Sequence, residues 1–107
     1  MALVSLNEAK EYLRVDSPDE DGLINGLISS AGVLVKDVGR ISNEQWTAVN
    51  AEPTDDDSDE LITLRYTLQI AVLYTIGYLF EHRDEADHHA LVISLRNLLF
   101  SIREGVL

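Results

Sequence analysis

An acidic segment in the middle of the chain contains the first residues whose spacing suggests chemistry. Asp55, Asp57 and Asp59 alternate there as the first Ca²⁺ ligands of an EF-hand loop do. An EF-hand also needs glycine at the sixth position and a bidentate glutamate at the twelfth, where this chain has Glu60 and Tyr66. The pattern therefore favours a solvated loop that caps the following helix over a calcium site.

Three histidines form a second candidate, a transition-metal site. His82, His88 and His89 lie close together in the sequence, beside acidic residues. Adjacent residues on a helix point about 100° apart, so His88 and His89 cannot share one face. No two histidines have the three-residue gap that would place both on one helix face. We expect surface histidines at a junction between helices.

Two carboxylate pairs form the third candidate, a magnesium site. Asp57-x-x-Glu60 and Glu81-x-x-Asp84 are similar to the paired acidic motifs of all-α nucleotide pyrophosphatases. Those enzymes bring two helices together, whereas both pairs here flank one predicted helix, about 30 Å apart. One subunit cannot close such a site, although a neighbouring copy could. The chain also lacks a P-loop, a nucleophile triad and a zinc signature. We therefore expect neither catalysis nor a metal or cofactor.

Charge and composition limit the classes of partner. The 107 residues include 19 acidic and 8 basic side chains, a net charge of −11, and no cysteine. Such a charge disfavours binding to phosphate or to anionic lipid, and the absence of cysteine excludes disulfides. Most acidic residues lie in three predicted loops, at 16–21, 52–60 and 81–87. No apolar run is long enough to span a bilayer, so we expect a soluble single domain over residues 1–107.

The first forty residues predict two helices. Ser5 and Glu8 have the spacing of a capping box, which opens a short helix to about Val15. Pro18 stands near the first turn of a second helix, which should end at about Gly39.

The second half of the chain predicts two more main helices. The third should run from about Asp59 to His82, and its second half is apolar nearly all round, as in a central helix. The last should be capped by Asp84 or Asp87 and should run to about Arg103.

Residues 40–58, between these halves, are predicted to be the least regular part of the chain. A second capping-box pattern, Ser42 to Gln45, makes a short helical turn through Val49 plausible. The expected fold is all-α: a small helical bundle of three main helices plus a short N-terminal helix, with a long central helix.

The first thirty residues resemble a known family signature. The run LVSLNEAKEYLRVD, residues 3–16, precedes an acidic stretch at 19–21 and the pairs Leu23-Ile24 and Leu27-Ile28. This order is similar to the amino-terminal signature of the small head–tail connector (adaptor) proteins of tailed bacteriophages and prophages. The second half resembles that family in its long helix, its acidic break at 81–84 and its closing helix.

The resemblance implies a structural virion protein rather than an enzyme. It implies a ring, commonly about twelvefold, that sits under the portal, joins head to tail and extends the DNA channel. The implied partners are further copies of the chain, the portal protein and a downstream neck or tail protein, with DNA only as passing cargo and no membrane. The implied location is the virion neck, after synthesis in the host cytoplasm. An acidic or neutral lumen would let DNA slide.

We place the lateral contacts between copies on the third helix, at Arg65, Tyr66 and Tyr74. Asp55 and Asp57 in the acidic loop could meet a basic residue of the neighbour or line the ring. For the tyrosines, burial in the chain's own core is an equal alternative at this stage.

The resemblance places the portal contact in the carboxy-terminal segment. The residues concerned here are Phe100, Ile102, Arg103, Val106 and Leu107.

Two other classes of function remain open from the sequence. An acidic helical protein could inhibit a DNA-processing enzyme by mimicking DNA, but that predicts carboxylates spaced along an exposed face. A small protein-binding regulator is the second alternative, and it predicts a monomer or a dimer.

Overall fold

The computed structural model describes residues 3–84 and 88–100, and this part of the chain contains α-helices and no strand. The helices are α1 (Leu6–Leu13), α2 (Asp21–Val38), α3 (Asn43–Asn50), α4 (Asp59–Glu81) and α5 (His89–Leu98), and a 3₁₀ turn (Pro18–Glu20) precedes α2. The predicted all-α bundle with a long central helix is confirmed. The short turn predicted within residues 40–58 is a helix of two turns.

Local capping explains where three of the helices begin. Ser5 accepts a hydrogen bond from the Glu8 N–H at 3.1 Å, and the Glu8 carboxylate accepts one from the Ser5 N–H at 2.9 Å. Ser42 and Gln45 form the same reciprocal pair at the start of α3. Ser58 accepts from a backbone N–H in the first turn of α4. These bonds satisfy amide groups that the helix itself leaves unpaired.

The central helix α4 supplies much of the core. Leu68, Ala71, Val72 and Ile76 are buried along it, and α2 makes the most extensive packing against it. The other helices also pack on α4. The buried hydroxyl of Thr75 donates to the Ala71 carbonyl at 2.8 Å, so no polar atom of this side chain is left unpaired.

Hydrogen bonds fix Leu3 between α3 and α4. The Leu3 N–H donates to the Asn50 side chain at 2.9 Å, and the Gln69 amide donates to the Leu3 carbonyl at 3.1 Å. Farther along, the Tyr12 ring lies against Gly77. Helix α1 therefore runs alongside the second half of α4 in the same direction.

The beginning of α5 differs from the prediction. Its N-cap is His88, which makes no side-chain capping bond, so the expectation that Asp84 caps this helix is wrong. Asp84 instead lies in the turn after α4, before the first helical residue of α5. The helix ends at Leu98, with Leu99 as its C-cap, before the predicted end at about Arg103. The alternative cap, Asp87, and Arg103 itself lie outside the described residues.

Candidate interaction surface

The acidic loop, residues 52–58, is organised around Asp57. One carboxylate oxygen of Asp57 accepts from the Thr54 N–H at 3.1 Å and from Arg65 at 3.0 Å, and the other accepts from the Thr54 hydroxyl at 3.1 Å. The Thr54 backbone N–H does most to lower the pKa of Asp57; partial burial opposes it, and Arg65 and the Thr54 hydroxyl lower it further. Asp57 is therefore a structural carboxylate of the loop.

Arg65 is buried, with 7% of its surface exposed. Besides Asp57, its guanidinium donates to the carbonyl oxygens of Val49 at 3.3 Å and Ala48 at 3.4 Å. Those carbonyls belong to the last turn of α3, where the helix leaves acceptors unpaired. Arg65 and Asp57, both predicted for lateral contacts, thus pair their charges with each other within one chain.

Two other residues predicted for lateral contacts, Tyr66 and Tyr74, lie on the surface. With Ile62 and Ile70 they form a row spaced by four residues, which we call the α4 stripe. Tyr66 is 63% exposed and Ile70 is 61% exposed. The row extends about 18 Å along the helix. Tyr66 and Tyr74 are therefore surface residues, and the alternative prediction that they are buried in the chain's own core is wrong.

An open groove of about 510 Å³ adjoins the stripe at Tyr74, between the end of α1 and the second half of α4. We call it the Tyr12 groove; it is lined by Tyr12, Leu13, Arg14, Tyr74, Gly77, Tyr78, Phe80 and Glu81. A methyl group on Gly77 would stand 3.0 Å from the Tyr12 ring, so glycine permits this close approach. Arg14, at the rim, has a left-handed backbone with a φ of 59°. The sequence alone did not predict this groove.

Two of the histidines considered as candidate metal ligands take part in aromatic packing. The rings of Tyr78 and His82 stack with centroids 4.1 Å apart, and His88 meets the Tyr78 ring edge-on at 5.8 Å. Within the described part of the chain, no three histidine or acidic side chains converge as a metal-ligand set. The histidines lie at the junction of α4 and α5, as the sequence predicted.

The carboxylate pairs proposed for magnesium lie at the two ends of α4. Glu60 is in its first turn and Glu81 is its last residue, a separation of about 32 Å along the axis. Asp57 precedes the helix and Asp84 follows it. One subunit therefore does not bring the pairs together.

Of the five residues predicted to contact the portal, the structure describes Phe100, which is exposed just beyond α5. Ile102, Arg103, Val106 and Leu107 lie outside the described residues.

A second exposed surface lies on α2, where Val33 is 71% exposed. It forms a shallow, open depression of about 400 Å³ with Ser29, Ser30, Leu34 and Asp37. Across the part of the chain that the structure describes, no helix has the length and apolar character needed to cross a membrane.

Comparison with known protein families identifies one family whose model matches this chain. The model of the family described as "Phage gp6-like head-tail connector protein" matches residues 3–105 of the chain. No curated protein and no solved structure matches the chain significantly. The matched region includes all five helices and nearly the whole chain. The chain therefore belongs to the family of phage gp6-like head–tail connector proteins, which are structural components of the virion.

Proposed function

We propose that this protein forms a ring at the portal vertex, where it joins the phage head to the tail and extends the DNA channel. The α4 stripe is the observation that supports this most directly. Contiguous exposed apolar surface of this kind marks a site of protein association. Its position on the longest helix, beside the Tyr12 groove, gives a neighbouring subunit one continuous surface to cover.

Charge supports association through the same surface. Copies with a net charge of −11 repel one another, and a contact through uncharged surface keeps like charges farthest apart. The α4 stripe contains two isoleucines and two tyrosines and no charged residue. Tyrosines suit such a contact because the ring packs while the hydroxyl keeps a polar partner. Tyr66 and Tyr74 are therefore our proposed lateral contacts.

A ring requires that different surfaces of successive copies meet. Such heterologous contacts form a closed ring when the rotation from one copy to the next divides the full circle evenly. The family resemblance implies a ring of about twelve copies. The portal contact is proposed to lie in the carboxy-terminal segment, at Phe100, Ile102, Arg103, Val106 and Leu107. A downstream neck or tail protein is proposed to bind the opposite rim of the ring. Arg65 and Asp57 contribute indirectly, because they hold the acidic loop in place.

The acidic character suits a channel through which DNA passes. Binding to DNA phosphates relies on basic side chains, and this chain has 8 of them against 19 acidic ones. DNA would pass without adhering. In this proposal the protein is made in the cytoplasm of the bacterial host, acts in the virion neck, and needs no catalysis and no cofactor.

The native mass of the purified protein across a concentration range, with electron microscopy of large species, is the first test. A closed ring of many copies with a central hole is the expected result, either free or after addition of the portal protein. A dimer that persists on dilution and does not bind the portal would overturn the proposal and favour a small regulator. Failure to form rings both alone and on the portal would also overturn it.

A further inference from the structure

We propose that the acidic loop of one copy docks into the Tyr12 groove of the next copy, where Arg14 pairs with Asp55 or Asp56. This inference rests on the proposed function, because it names the two surfaces that meet in the ring. The contact would combine an aromatic groove, an available guanidinium and a loop with available carboxylates.

Arg14 is available to a neighbour. It is exposed at the end of α1 and forms no ion pair with any residue that the structure describes. Two other basic residues are already paired, Lys10 with Asp21 at 2.7 Å and Arg65 with Asp57. An Arg at the edge of an aromatic groove is suited to a carboxylate, since the guanidinium can bind it in a bidentate manner. The groove thus has exposed aromatic surface and two charged residues, Arg14 and Glu81, and of these Arg14 is the one that can bind a carboxylate.

The acidic loop presents complementary groups. Asp55 and Asp56 are exposed and have no hydrogen-bond or ion-pair partner within residues 3–84 and 88–100, in contrast to Asp57. The Thr54–Asp57 turn, closed by three hydrogen bonds, holds the two free carboxylates in one place. Pro53 precedes the turn and restricts the backbone, and proline rings pack well in aromatic-lined grooves. A preorganised loop loses less entropy on binding.

The positions of groove and loop require two copies. The acidic loop ends where α4 begins, whereas the groove lies beside Gly77, about 28 Å farther along the same helix. A chain cannot place its own loop in its own groove. Each copy therefore offers one groove and one loop, and contacts of this kind repeat from copy to copy until a ring closes.

Disulfide trapping tests the contact, because the chain has no cysteine of its own. A variant with Arg14→Cys and Asp56→Cys can form a disulfide only between copies, since the two sites are too far apart within one. Mild oxidation should give a ladder of trimers and larger species on a non-reducing gel. Each single variant can link only two copies. The control is a matched pair, Arg14→Cys with Glu44→Cys, in which the second cysteine lies at an exposed acidic position on α3 instead of in the acidic loop.

The inference requires at least tenfold more trimers and larger species from the test pair than from the matched pair. An equal or smaller yield overturns it, whether or not the wild-type protein forms rings. If rings form and the test pair fails, the proposed function stands and only this assignment falls. If the protein fails to assemble alone and on the portal, the proposed function falls, and the ladder still decides whether the loop and the groove meet.

Charge reversal gives a second, independent measurement. Arg14→Glu alone, and Asp55→Arg with Asp56→Arg, should each reduce ring formation at least tenfold. The three substitutions together should restore it, because the charges are exchanged across the contact. Loss without restoration would overturn the pairing of Arg14 with the loop.

Discussion

The guanidinium of Arg65 lies 3.0 Å from the carboxylate of Asp57, and the same group donates to the last carbonyls of α3. One side chain on the central helix thus holds both the acidic loop and the end of the preceding short helix. The loop has few apolar side chains of its own to bury, so these polar contacts determine its position. The position of the acidic loop against the end of α3 therefore depends strongly on a single arginine.

Replacing Arg65 by methionine tests this dependence. Arg65→Met keeps much of the apolar stem but removes every donor. The carbonyls of Ala48 and Val49 lose the guanidinium, and the Asp57 carboxylate keeps only its bonds from Thr54. We expect the free energy of unfolding to fall by about 1–3 kcal/mol. Urea unfolding measures this. Arg96→Met, at an exposed position on α5, is the control and should cost less than about 0.5 kcal/mol. Equal effects at the two positions would contradict the structural role of Arg65.

The lowered pKa of Asp57 predicts how stability depends on pH. A carboxyl whose pKa is lower in the folded than in the unfolded state stabilises the fold fully above its unfolded pKa, about 3.9. This contribution is lost as the pH falls through the lower folded pKa. We therefore expect wild-type stability to fall more steeply than that of Asp57→Asn as the pH falls below about 4. Asp55→Asn, at an exposed carboxylate of the same loop, should follow the wild-type curve. Parallel curves for Asp57→Asn and wild type would refute the assignment.

Local signals in the sequence predicted the helices but not the partners of individual side chains. The capping boxes at Ser5 and Ser42 act over three residues, so the sequence alone identifies them. Arg65 has backbone partners 16 and 17 residues away, and these become neighbours only when α3 packs on α4. Asp84 has good capping chemistry, yet the position of the following helix leaves it in the preceding turn.

The candidate surface was predicted only in part, for a related reason. The second half of α4 is apolar nearly all round, so its periodicity does not tell which face the other helices cover. Tyr66 and Tyr74 were therefore equally consistent with core and surface. The Tyr12 groove was missed because Tyr12 and Gly77 are far apart in the sequence. A glycine inside a long apolar helix was the one available signal of a close approach.

Gly77→Ala should reveal the contact with Tyr12. Alanine in place of glycine inside a helix adds about 1 kcal/mol of stability, and Gly26→Ala on α2, with nothing within 4 Å of the new methyl group, should gain that amount. At Gly77 the gain should be smaller, because the methyl group displaces the Tyr12 ring. In a Tyr12→Ala background Gly77→Ala should recover about the full 1 kcal/mol. Thermal unfolding of the four variants measures this coupling, and an equal gain in both backgrounds would exclude it.

The α4 stripe should be needed for assembly and not for folding. Ile70 is exposed, so Ile70→Asp removes little buried surface and should change the free energy of unfolding by about 0.5 kcal/mol or less. In a packed contact between copies, the new carboxylate would lose its water without gaining a partner. We expect at least a tenfold weaker association, which corresponds to about 1.4 kcal/mol. Analytical ultracentrifugation, or binding to the portal protein, measures this loss of association.

Ile93→Asp, at an exposed isoleucine on α5, is the matched control, because it adds the same charge to a helix outside the stripe. If Ile70→Asp assembles like Ile93→Asp, the stripe is not the lateral contact, and a different face of the chain must hold the copies together.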